Sequence, residues 1–63
     1  MTPDEVRKRV ALIKSLANEK DYESAHAEED SLYHDVLDVI AGGATNAQEL
    51  ARLVFETQSV RDP

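Results

Sequence analysis

The chain contains no cysteine, which excludes both a disulfide framework and a Cys-based zinc site as the source of its stability. It also has no run near the roughly 18 consecutive apolar residues that a membrane-spanning helix needs. No charged segment precedes an apolar core as in a signal peptide, so a cytoplasmic setting is expected. Basic residues are scarce: seven Lys and Arg face thirteen Asp and Glu, a net charge of -6. That balance repels nucleic-acid backbones and anionic membrane surfaces alike. Arg7, Lys8 and Arg9 are consecutive, but on a helix they fan around the axis and form no basic stripe. Aromatic side chains number three, Tyr22, Tyr33 and Phe55, and each is most simply a core or interface group. No strand pattern, internal repeat or low-complexity tract is present.

What remains is helical punctuation, and it divides the 63 residues into three segments of one small domain. At "TPDE" Thr2 caps, Pro3 suits the first helical position and Glu5 completes a capping box. Val6, Val10, Ile13 and Ala17 follow at helical spacing, with Leu12 and Leu16 widening the stripe, so a first helix is expected over about 3–18. Asp21 caps a second, over 22–41, with Tyr22, Ala25, Leu32, Tyr33, Val36, Leu37 and Ile40 on one face. Gly42 and Gly43 end it, since glycine accepts the left-handed conformation that follows a helix. Thr45 with Gln48, or Asn46 with Glu49, starts a third, over 46–58, with Ala47, Leu50, Ala51, Val54 and Gln58 on one face and Leu53 and Phe55 beside it. The residues from 59 to 63 are expected to form a flexible tail.

The expected fold is therefore all-α: an antiparallel hairpin plus a short third helix. A chain this short buries only about 60% of its unfolded surface, which favours completion of the bundle as a homodimer. Tyr22, Tyr33, Val36, Leu37, Ile40, Leu53 and Phe55 are the interface candidates.

The second helix contains the one anomaly. About 100° of rotation per residue places Glu29 near the centre of the apolar face. A buried carboxylate must be paired, protonated or ligating something. Arg9 lies within the arc of the first helix that faces it, so a buried Arg9–Glu29 pair holding the hairpin in register is the expected structural answer, with Lys20 as a second partner. The chemical alternative starts from Glu23 and His26, whose Glu-x-x-His spacing matches that of carboxylate-bridged di-metal bundles. In a two-fold dimer Glu23, His26 and Glu29 would supply nitrogen and oxygen ligands for Zn, Mn or Fe. The first helix has only Glu5 and Glu19 to complete such a site, both near its ends. His26, Asp30, His34 and Asp38 recur every fourth residue and read as local surface pairs. No nucleophile elbow, thiol or phosphate loop is present, so no catalytic residue and no bound cofactor is expected.

The stretch "AHAEEDSLYHDVLDVIAGGA", Ala25 to Ala44, resembles a set of short, uncharacterised helical proteins of actinobacteria and their phages that share an Ala-His-x-x-Glu-Asp-x-Leu core. The likeness extends from Asp21 to about Gln58 and matches His26, Glu29, Asp30 and Leu32. The similar proteins continue to an aromatic-rich ending where this chain reads "VRDP", as a natural variant or a shortened one. The resemblance implies a phage or actinobacterial source and no particular activity. The expected function is that of a small acidic module that self-associates and binds another protein, as a phage accessory protein would bind a host protein. Acidic mimicry of a nucleic acid, occupying a basic groove on another protein, is a further alternative.

Overall fold

A computed structural model describes residues 1–58; the expected tail over 59–63 lies outside them. Three α-helices follow in order, α1 (Pro3–Asn18), α2 (Tyr22–Ala41) and α3 (Ala47–Val54), and a 3-10 turn, Phe55–Thr57, continues α3. The described residues contain no strand, so the fold is all-α.

The helix ends follow from local chemistry. The Thr2 hydroxyl accepts the Glu5 amide at 3.2 Å, and Asp21 accepts the Ser24 amide at 3.3 Å. These caps satisfy amide groups that have no partner within the helix. Both long helices close in the same way. After α1 the Lys20 amide donates to the Ala17 carbonyl and the Asp21 amide to the Leu16 carbonyl. After α2 the Gly43 amide donates to Ile40 and the Ala44 amide to Val39. This pattern of nested bonds needs one residue in the left-handed region. It is Lys20 after α1, at φ +64°, and Gly43 after α2, at φ +90°. Of the two glycines, only Gly43 uses glycine's freedom, because Gly42 sits at φ -79°.

Three expected outcomes follow. Gly43→Ala should cost about 1 kcal/mol through backbone strain alone, since nothing lies within 4 Å of an added Cβ. Lys20→Gly should gain up to about 1 kcal/mol by relieving the same strain. Gly42→Ala should change stability by less than Gly43→Ala. Urea denaturation of the three variants checks the ranking, which equal costs at the two glycines would contradict.

The three-residue connection between α1 and α2 makes them neighbours, and Arg9 opposite Ser31 and Asp35 fits an antiparallel hairpin. Val6, Val10 and Ile13 of α1 pack with Ala25, Leu32 and Val36 of α2 and with Leu50 and Val54 of α3. These eight side chains form the core, and α3 touches both long helices. Leu16 is half-buried at the end of the stripe on α1, whereas Leu12, expected to widen it, is 47% exposed.

Two local expectations fail in the third segment. Asn46 stands at the N-cap of α3 but makes no side-chain capping bond, and neither capping box there closes. The helix expected over 46–58 gives up α-geometry at Phe55. The cause is Thr57, whose hydroxyl donates to the Val54 carbonyl three residues back at 2.9 Å and lies 3.0 Å from the Tyr33 hydroxyl. A hydroxyl held on an i-3 carbonyl tightens the last turn.

Candidate functional site: a buried carboxyl beside an apolar groove

Glu29 is fully buried, on the side of α2 where its helical phase puts it. Its partner differs from the one expected. Arg9 turns away from it to the edge of the hairpin, where its guanidinium donates to Asp35 Oδ2 at 2.7 Å and to Ser31 Oγ at 3.2 Å. The reason is register: Arg9 is level with Ser31 and Asp35, which sit four residues apart on one edge of α2, and there its charge stays partly solvated. Its side chain is 27% exposed and that of Asp35 43%. Keeping the pair at the rim avoids the desolvation that a buried ion pair must overcome. Lys20, the second expected partner, is exposed in the connection and makes no ion pair with Glu29.

The Glu29 carboxylate instead accepts from the Tyr33 hydroxyl, one turn along α2, at 3.3 Å. The Tyr33 and Thr57 hydroxyls lie 3.0 Å apart and Thr57 donates to the Val54 carbonyl, so with one proton on each hydroxyl a bond between the two draws its donor from one of the neighbouring bonds. A polar line therefore runs from the interior of α2 to the end of α3. No buried side-chain nitrogen or oxygen among the described residues lacks a partner, so the carboxyl is accommodated within the chain's own hydrogen bonding. Burial of Thr57 is not legible in the sequence. Its only signal is its position, three residues beyond Val54 on the apolar face of α3.

The metal-ligand reading of Glu23, His26 and Glu29 does not assemble within one chain. Glu23 and His26 are exposed on the outer side of α2, and Glu29 is buried. Among the described residues no group of three or more His, Cys, Asp or Glu side chains is placed to hold a metal ion. The physical reason is the 3.6-residue period: Glu-x-x-His shares a face, but here that face looks to solvent while Glu29 looks inward. Within the fourfold-spaced ladder, His34 Nδ1 approaches the neighbouring Asp35 at 3.3 Å.

Asp35 thus receives two partners. The hydrogen bond from Arg9, and after it that from His34, hold its carboxyl below the ordinary value of 3.8. A depressed folded-state pKa means that the stabilisation is fully present above 3.8 and is lost as pH falls through the folded value. Arg9→Met should accordingly melt below the wild-type chain at neutral pH, and the gap should close once Asp35 is protonated. A gap that persists unchanged in strong acid would assign the effect to the packed stem of Arg9 and not to its charge. Circular dichroism melts across the acid range distinguish the two.

Between them α2 and α3 leave an apolar groove of about 220 Å³. Tyr33, Val36, Leu37 and Ile40 line it from α2, and Ala51, Val54 and Phe55 from α3 and the 3-10 turn. Leu37 and Phe55 are each 66% exposed at its rim, while Val36 and Val54 are buried core residues at its floor. Five of the seven interface candidates, Tyr33, Val36, Leu37, Ile40 and Phe55, come together here. Leu53 packs instead against the core, and Tyr22, 52% exposed, stands at the far end of α2. No described helix is long and apolar enough to cross a membrane. The chain matches no known protein family, no curated protein and no solved structure.

Proposed function

We propose that the chain is a small acidic protein-interaction module that self-associates and acts by binding, not by catalysis. The observation that carries this reading is the groove between α2 and α3. Two large apolar side chains stand two-thirds exposed at its edges, beside a core that counts eight side chains among the described residues. Scattered apolar residues on a surface need no explanation, but a contiguous patch around a hollow marks an interaction site. Self-association is supported by size as well, because a domain of about 60 residues gains proportionally more from added burial than a larger one.

The specific version of the reading is an accessory protein of a phage, working in the cytoplasm of an infected cell on a protein of the host. Its support is the resemblance carried by His26, Glu29, Asp30 and Leu32. Sedimentation velocity of the full chain across a rising concentration series tests the reading. Conversion from one to two chain masses is the expected result, and a monomer persisting at high micromolar concentration would overturn it.

A further inference from the structure

The groove is bordered by projections of its own kind: Leu37 on the α2 side and Phe55 on the α3 side. A two-fold interface buries the same patch on both copies, so it requires a projection and a hollow side by side. We infer that the occupant of the groove is the Phe55 ring of a second copy, in a two-fold dimer that lays the α3 end of each chain across α2 of the other. The inference rests on the self-association reading and goes beyond it by naming the surface, the anchor and the arrangement.

Size supports the ring as the occupant. A cavity of about 150 Å³ accepts a benzene ring, so a groove of about 220 Å³ takes one aromatic side chain with room to spare and is too small to enclose a helix. A ring entering it would meet the Phe55 ring already at the rim, in the range of offset aromatic contacts.

Charge supports the arrangement. The second helix carries Glu23, Glu28, Glu29, Asp30, Asp35 and Asp38 without a single Lys or Arg. Laying α2 against its own copy would therefore oppose two anionic helices. Arg52 on α3 is exposed, lies one turn before Phe55, and makes no ion pair among the described residues. Placing α3 on the partner's α2 moves this cation toward the anionic edge beyond Leu37, where Asp38 is exposed. The local charges are complementary although each whole chain is at -6.

Area bounds the size of the interface. A standard interface takes about 800 Å² from each partner, which is close to a fifth of the 4282 Å² that the chain exposes. A face built from half of α2 and one short helix is a small one, so the dimer is a dissociating one, with its dissociation sought in the micromolar range. Salt supplies a signature. Salt screens both the repulsion between two chains of the same net charge and the attraction of Arg52 to the anionic edge, so a dimer anchored by an apolar ring should respond little to salt, whereas a basic partner in the same groove would be released by it.

The test uses the full chain in sedimentation equilibrium at concentrations across the micromolar range, with helix content checked by circular dichroism. Phe55→Asp should weaken the dimer by about 30-fold or more, as for a buried aromatic anchor. Leu12→Asp, on the exposed face of α1, should leave it within about threefold. Because the chain lacks cysteine and Phe55 must stay in place as the anchor, Arg52→Cys is mixed with Asp38→Cys, and mild oxidation should join the two variants. If the wild-type chain stays monomeric, self-association fails and the inference falls with it. If it dimerises but Phe55→Asp has no effect, or if Leu12→Asp dissociates it instead, the reading survives and the groove assignment is overturned. Should Phe55→Asp lose its helix content, the mixed cysteine pair decides: failure to cross-link a dimeric wild type overturns the arrangement.

Discussion

Leu32→Ala is expected to leave the chain largely unfolded at room temperature. Leu32 is fully buried on α2, in the core formed with Val6, Val10 and Ile13 of α1 and Leu50 and Val54 of α3. Truncating a buried leucine loses its transfer free energy and leaves a cavity, about 2–5 kcal/mol together. A single core in a domain of this size supplies only about 3–5 kcal/mol of net stability. One methyl-rich side chain is thus comparable with the whole margin. Leu12 provides the contrast, because the same truncation there removes a side chain already 47% exposed and should cost well under half as much. Far-ultraviolet circular dichroism in a urea series reads both. Similar midpoints for the two variants would mean that α1 presents a different face to α2 than the one described.

Glu29→Ala should be the second most damaging change, although the residue is charged in type and lies on a helix otherwise rich in solvated carboxylates. It is fully buried and is bonded to Tyr33, which ties α2 to Thr57 at the end of α3. Removing it empties a side-chain volume in the interior and strips the Tyr33 hydroxyl of an acceptor, a combined cost of about 2–4 kcal/mol. Glu29→Gln keeps the volume and one acceptor oxygen, so its cost should be nearer 1 kcal/mol. Tyr33→Phe breaks the same line from the other side. In a double-mutant cycle Glu29→Gln and Tyr33→Phe should therefore fall short of additivity by at least about 0.5 kcal/mol. Additive losses would show that the two groups act separately and that the line from α2 to the 3-10 turn has no energetic meaning.

Periodicity and punctuation are local properties, and the local features of the fold are legible in the residues themselves. The caps at Thr2 and Asp21 and the extents of α1 and α2 follow from side chains acting on amides three residues away and from apolar spacing of three and four. The burial of Glu29 belongs to the same class, since it depends only on where residue 29 falls around a helix whose apolar face is already known. The identity of its neighbours is a different kind of fact. Whether Arg9 reaches Glu29 or Asp35 depends on the rotation and rise of one helix against another, differences smaller than the length of an arginine side chain. The cost of burying an ion pair decides between them in favour of the rim.

The end of α3 shows the same division. Helical spacing continues through Gln58, and nothing in that spacing announces that Thr57 will be held by its own backbone at Val54 and by Tyr33 from another helix. Nor does a list of exposed apolar residues reveal that Tyr33, Val36, Leu37, Ile40 and Phe55 surround one hollow while Tyr22 and Leu53 do not. Three helices with one carboxyl turned inward are written into the order of the residues, because those outcomes rest on interactions within a turn or two of chain. The arginine held at the rim, the tightened end of the third helix and the groove beside it arise only when the helices meet. Each depends on the packing distance and register between helices, and no periodic pattern encodes them.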